Sequence, residues 1–259
     1  MQHFESYSHE QQDEFIYNIF NHKIDGTFLD IAAGHPIIGS NTYSLEKSFG
    51  WKGFCFDVFD YEAYCGWSTI RKSPLHLIDV TTDQFTQFLK DNIPTDLVID
   101  YVSLDVNGPR PDMVTEALER VLDAGVKFKS VTFEHEIHVG YDETLNDSRR
   151  ILEELGFVKL AADVRLWGIQ FSNPTTQSFE DWWIDPQYFD PKLLEAATSN
   201  LYYFDVIETI KNNRANSYTV QHHCNRAYPD EYDTFWHDGN RQELVSWFNQ
   251  LNSQLNLSK

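Results

Sequence analysis

With 259 residues the chain is long enough for one sizeable buried core and an extension. Asp and Glu number 40 against 20 Lys and Arg, and the resulting net charge of -20 repels phosphate backbones and anionic lipid, so neither nucleic acid nor a membrane surface is an expected partner. Three cysteines, Cys55, Cys65 and Cys224, have neither paired nor metal-ligand spacing, which points to a reducing compartment. The start Met1-Gln2-His3-Phe4-Glu5 lacks a signal peptide's basic and apolar run, and no stretch is long enough to span a bilayer, so a cytoplasmic protein is expected.

A polar lead from Ser8 to Asp13 runs into a short amphipathic helix over Glu14–Phe20. Phe28-Leu29-Asp30-Ile31-Ala32-Ala33-Gly34 reads as an apolar strand broken at a glycine. Ser40-Asn41-Thr42 then opens a helix, and Trp51-Lys52-Gly53 turns into a second strand, Phe54-Cys55-Phe56, that ends in Asp57. A small residue after the first strand lets backbone approach a ligand, and an acid ending the second can accept hydrogen bonds from both hydroxyls of a ribose. The loop Ala33-Gly34-His35-Pro36 with a later Gly39 is not the G-x-G-x-x-G of a pyrophosphate clamp. A nucleoside cofactor without phosphates fits it better, and S-adenosylmethionine is such a cofactor.

The third strand, near Leu75–Ile78, ends at Asp79, and a helix capped by Thr81 or Thr82 runs to Asn92. The fourth spans Leu97–Val106 and closes in Asp105-Val106-Asn107-Gly108; Pro109 and Pro111 then lead a helix that stops at Gly125. The fifth is expected over Phe128–Glu134, followed by a helix over Glu143–Leu155 that ends at Gly156. This rhythm predicts a parallel sheet with right-handed crossovers. Strands over Phe157–Ala162 and Leu166–Phe171 are too close for a crossover, so the seventh strand is expected to run antiparallel. The fold expected is α/β, a class I methyltransferase-type (Rossmann-like) three-layer sandwich with a seven-stranded, mostly parallel sheet.

That domain is expected over 1–175, with an aromatic-rich C-terminal extension over 176–259 that begins near Phe179-Glu180-Asp181-Trp182-Trp183-Ile184 and packs on it, shaping the acceptor pocket. A helix is expected over Leu193–Ile210, and Arg241–Leu255 sets Leu244, Trp247, Phe248, Leu251 and Leu255 at helical spacing, a core stripe or a homo-oligomer surface.

Over its first two thirds the chain resembles the FkbM-like family of S-adenosylmethionine-dependent methyltransferases. The resemblance is carried by Gln12-Asp13-Glu14-Phe15, the Phe28–Pro36 stretch, Ser40-Asn41-Thr42-Tyr43, Leu45-Glu46-Lys47, Gly50-Trp51-Lys52-Gly53, Tyr101 to Gly108 and Phe133-Glu134-His135. It implies methyl transfer to a hydroxyl of a sugar, glycan or small natural product. It also implies a cofactor set of Asp30, Ala32, Gly34, Asn41, Asp57 and Asp79, with Asp30 and Gly34 at the methionine part, Asp57 at the ribose and Asp79 at the adenine amino group. Asp79 reads equally as a helix-leading acid before Thr81. Ala32 stands where the family often has glycine, Asp57 where it often has Glu, and Asn107 where the D-x-E-G pattern has a carboxylate.

Methyl transfer needs the acceptor oxygen close to the methyl carbon and its proton removed. Candidates for that chemistry are Asp105, Glu134 and His135, with Glu136 and His138 nearby. On an extended segment Glu134, Glu136 and His138 share one face and His135 points the other way. Asp105, Glu134 and Glu136 could alternatively hold Mg or Mn, or simply solvate a strand end. His222-His223-Cys224 reads as ordinary surface or core. Two other readings remain open here: a non-catalytic binding or assembly module on the same fold, and an NAD-dependent oxidoreductase.

Overall fold

The computed structural model describes residues 2–108, 110, 112–135, 137, 142–165, 178–197, 203–212 and 218–222. The main sheet has seven strands: β2 (Thr27–Ile31), β3 (Lys52–Asp57), β4 (Leu75–Leu77), β5 (Val98–Leu104), β6 (Lys127–Glu134), β7 (Val158–Arg165) and β8 (Ser178–Ile184). Their order is β4-β3-β2-β5-β6-β8-β7, and all run parallel except β8, which is antiparallel to both neighbours. This is the class I methyltransferase layout. The order reverses between β2 and β5, whose carboxyl ends are joined by the Asp105 amide donating to the Ile31 carbonyl at 3.3 Å.

Side chains alternate along the strands, so each face builds its own core. On one face Phe28, Tyr101 and Trp182 pack with Phe15 and Ile16 of α1 (Gln12–Ile19) and Leu45 of α2 (Tyr43–Phe49). Two short helices, α3 (Tyr61–Cys65) and α4 (Trp67–Ile70), follow β3. On the other face Leu29, Val102, Phe133 and Trp183 meet apolar residues of α5 (Asp83–Asn92), α6 (Met113–Asp123) and α7 (Asp142–Glu154). Each of these three helices turns one stripe inward, such as Val114, Leu118 and Val121 of α6, as 3.6-residue periodicity dictates.

The antiparallel strand differs in position from expectation. Leu166–Phe171 lies outside the described residues, and the strand is Ser178–Ile184, buried along its whole length between β6 and β7. Its run Phe179 to Ile184 lacks polar-apolar alternation because both faces are covered, which is why it reads as irregular aromatic chain. The sheet therefore continues past residue 175, and the expected division at 175/176 falls before one of its strands. The stretch expected as one helix over Leu193–Ile210 holds two, α8 (Pro191–Ala197) and α9 (Tyr203–Asn212). The helix expected at Arg241–Leu255 lies outside the described residues.

An unexpected strand, β1 (Gln2–Ser6), pairs in parallel with β9 (Tyr218–His222) as a separate two-stranded sheet. Behind it the Asp13 carboxylate accepts from the Ser6, Ser8 and Ser44 hydroxyls and the Tyr7 amide at 2.7–2.8 Å, pinning the N-terminal segment to α1 and α2. Among the described residues no helix is long and apolar enough to cross a membrane.

Gly53 lies opposite Phe28 across the β2–β3 ladder, and a Cβ there would sit 2.0 Å from the Phe28 carbonyl oxygen. Gly53→Ala is expected to destabilise by at least about 1–3 kcal/mol, because neither backbone can yield without breaking the ladder. Urea unfolding checks this as a lowered midpoint at unchanged slope.

Candidate functional site

The loop after β2 is shaped by two residues in the left-handed region, Ala32 at φ 60° and Gly34 at φ 63°. Gly34 adopts this freely, whereas Ala32 does so at a cost of about 1–2 kcal/mol. The turn shape at 32 is thus held with an alanine, at the cost of backbone strain. A Cβ at Gly34 would meet no heavy atom within 4 Å, so the loop faces open space there.

The carboxylate ending β3 locks this loop. Asp57 accepts from the Gly34 amide at 3.0 Å through one oxygen and from the Phe59 amide at 2.8 Å through the other. Burial raises its pKa, partly countered by these amides. The next residues are organised by His35, whose buried Nδ1 accepts from the Ile37 and Ile38 amides, both at 3.1 Å. His35-Pro36 is therefore a built turn, in which the imidazole does what an Asx side chain does elsewhere.

Beneath the loop, Asp30 on β2 is buried and accepts from the Thr42 hydroxyl. Thr42 in turn accepts from Arg71 Nη2 at 2.8 Å. Desolvation pushes the Asp30 carboxyl up to about 6, opposed by Arg71 and Thr42 and reinforced by the charge of Asp105. Asn41 donates to the Ser103 hydroxyl at 3.0 Å, while its buried Oδ1 has no partner among the described residues. Asp79 is exposed and accepts from the Thr81 amide and hydroxyl, the helix-leading arrangement.

Asn107 donates to Asp105 at 3.1 Å and to Glu134 at 3.3 Å, gathering these two expected residues at the β5–β6 edge. His135 is set apart from them: it is fully buried, with Nε2 3.8 Å from Asp181 Oδ1. Glu136 and His138 lie outside the described residues. His135, Asp163 and Asp181 bring potential ligand atoms within 4.8 Å of one another. Arg149, however, already donates to Asp181 at 2.7 and 3.0 Å and to Asp163 at 2.8 Å, so this cluster carries its own cation and does not suit a metal.

Two contributors were not anticipated. Arg71 sits in a polar connection with no motif around it, and Glu180 lies on the strand whose position was misjudged. Glu180 is fully buried, registers opposite Glu134, and accepts from Gln12 Nε2 at 3.1 Å and from Trp182 Nε1. Desolvation, together with the charges of Asp105 and Asp181, pushes its carboxyl up to about 8. Beyond the larger effect of burial, the charge of Asp105 raises Asp30, Asp57 and Glu180, so acids on three strands and one just past a fourth share a negative field at the carboxyl edge.

No protein-family model and no curated protein matches the chain. Among solved structures it is similar to human methyltransferase-like protein 13 in complex with SAH, at 10% identity over 86% of this chain and 94% of that one, with a TM-score of 0.46. It is also similar to an S-adenosylmethionine-dependent methyltransferase from Clostridium acetobutylicum, at 12% identity over 68% of this chain and 92% of that one, with a TM-score of 0.42. The fold assignment stands on the strand order.

A folded-state pKa of about 8 against 4.5 for an ordinary Glu means that the native state keeps a proton the unfolded chain releases. Stability conferred by that proton is present at low pH and is lost as pH rises from about 4.5 through about 8. Glu180→Gln is expected to flatten this decline and to be more stable than the parent near pH 8 by a few kcal/mol, about 2–4. The Asp30 contribution, complete above about pH 6, should remain. Urea unfolding at several pH values checks this, and parallel profiles for the two proteins would refute it.

Proposed function

We propose that the protein is an S-adenosylmethionine-dependent O-methyltransferase of the FkbM-like kind, acting on a hydroxyl of a sugar, glycan or small natural product. The observation that carries the reading is the pairing of the Asp57 carboxylate, at the end of β3, with the Gly34 amide after β2, beside the point where the sheet order reverses. There an open glycine loop and a hydrogen-bonding acid meet, as a ribose-bearing ligand requires.

The residues fit that cofactor. Space lies open at Gly34, the buried Asn41 Oδ1 awaits a donor, and Val58, 71% exposed beside Asp57, offers an apolar face for a base. Asp57 would hold the ribose hydroxyls, Asp30 the methionine amino group and Asp79 the adenine amino group. The edge also disfavours a dinucleotide: the amides of Gly34, Ile37 and Ile38 are spent on Asp57 and His35, and the surrounding acids repel pyrophosphate. The same field suits a cationic sulfonium.

When bound, the cofactor supplies an electrophilic methyl group. The chain's part is to orient the acceptor hydroxyl and take its proton, and Asp105 with Glu134 stands nearest the edge where both tasks fall. Asn107, donating to both carboxylates, holds two like charges together as a cation otherwise would, so an amide is the suitable residue at that position. The proposal accordingly assigns no metal.

Calorimetric titration with S-adenosylhomocysteine, beside NAD and with and without Mg, tests the reading. Micromolar binding of the former alone, indifferent to Mg, is expected; binding of NAD instead, or of neither, overturns it. Asp57→Ala should weaken binding by about 1–3 kcal/mol per charged hydrogen bond lost. Asp105→Asn should leave cofactor affinity within a few-fold and lower kcat by about a hundredfold or more, the range expected on losing a general base.

A further inference from the structure

Among the described residues Arg71 is a buried cation whose contacts span the 36–42 segment. Nη1 donates to the Pro36 carbonyl at 3.3 Å and the Ser40 hydroxyl at 3.2 Å, Nη2 donates to the Thr42 hydroxyl at 2.8 Å, and Nε lies 3.2 Å from Glu46 Oε2. The guanidinium is closed in by Trp67, with its carbon 5.1 Å from the ring centroid, and by Tyr43 and Phe28 at 5.8 and 5.9 Å. Glu46 fixes the segment that delivers the arginine by accepting from the Lys72 and Ser73 amides. One planar fork thus touches both ends of the 36–42 segment, and Thr42 passes the contact on to Asp30. A lysine has no geometry for this.

We propose that Arg71 is the positioning residue of the cofactor site: its fork sets the shape of the 36–42 segment, and its charge, together with the Thr42 hydroxyl that it orients, keeps Asp30 an anion able to hold a ligand's amino group. The part concerning ligand binding rests on the methyltransferase reading; the part concerning Asp30 and the loop does not. The groups facing Asp30 agree with it. On β5 is Ser103, in register with Asp30, and just past its end is the like charge of Asp105; Tyr101 on the same strand feels the Asp30 charge. On β3 is Cys55, in register on the other side and neutral, its thiol pushed well up by burial. From α2 come Thr42 at its start and Glu46, whose charge is taken up by Arg71. Arg71 is the one cation that acts on Asp30 among these groups, against the opposing charge of Asp105.

The test separates the two roles in the ligand-free protein. Carboxyl-carbon NMR follows the titration of Asp30, assigned with Asp30→Asn, and hydrogen exchange follows the 36–42 amides. In Arg71→Met the Asp30 midpoint is expected to rise by about one pH unit or more, the change caused by losing a nearby opposite charge. In Arg71→Lys, which keeps the charge and serves if the methionine variant fails to fold, the midpoint should stay near the parent's while the 36–42 amides exchange several-fold faster. Titration with S-adenosylhomocysteine across pH then adds the functional consequence. Parent affinity should rise with pH until Asp30 is ionised. Arg71→Met should lose about tenfold near neutrality and regain part of it at higher pH, whereas Arg71→Lys should lose affinity at every pH. An unmoved Asp30 midpoint in Arg71→Met, or parent-like exchange in Arg71→Lys, overturns the proposal. Absence of any binding by the parent, with both ligand-free effects present, sinks the methyltransferase reading alone.

Discussion

The architecture of the site depends on one hydrogen bond, from the Gly34 amide to the Asp57 carboxylate. It joins the ends of two adjacent parallel strands, where the ladder has run out and the backbone must otherwise find water. By committing one oxygen to the glycine loop and the other to Phe59, Asp57 fixes the floor of the site before any ligand arrives. The strain held at Ala32 is tolerable for the same reason, since a loop clamped on its far side cannot relax into an ordinary conformation.

Around this clamp the protein accumulates negative charge and offsets it at only a few points. Arg71 lies on one side of the edge, Arg149 is committed to Asp163 and Asp181 on the other, and between them an amide, Asn107, joins two acids. Burial, reinforced by the neighbouring like charges, raises the carboxyl pKa values at this edge, as Asp30 and Glu180 record. An edge of this kind is selective by sign, attracting cations and repelling phosphates.

The glycine loop, the acid at 57 and the parallel rhythm were legible in the chain because each is a local pattern: a small residue at a tight turn, an acid closing an apolar strand, helices ended by Gly. What was not legible depends on distant partners. Ser178–Ile184 is a strand because β6 and β7 flank it, and nothing in its own apolar run says so. Gln2–Ser6 is too short to announce itself, and its partner lies at Tyr218–His222. His135 occupies the expected strand end, but the alternation that separates it from Glu134 turned it toward Asp181, a residue that entered the site only with the misplaced strand. Arg71 carries no signal except its surroundings, which become visible only when the 36–42 segment folds over it.

The antiparallel strand also sets an order of events during synthesis. When β7 has left the ribosome, the place between it and β6 is still empty, because the strand that belongs there comes later in the chain. Until Ile184 emerges, the β6 edge and the apolar sides of Phe133 and Leu160 have no lasting cover, and β1 waits longer still for a partner that ends at His222. A nascent chain stalled in this interval exposes an unpaired parallel edge, the kind of surface that recruits chaperones or aggregates. The site's β2–β3 half can thus be assembled early, while the half carrying Glu180 is among the last parts of the sheet to form.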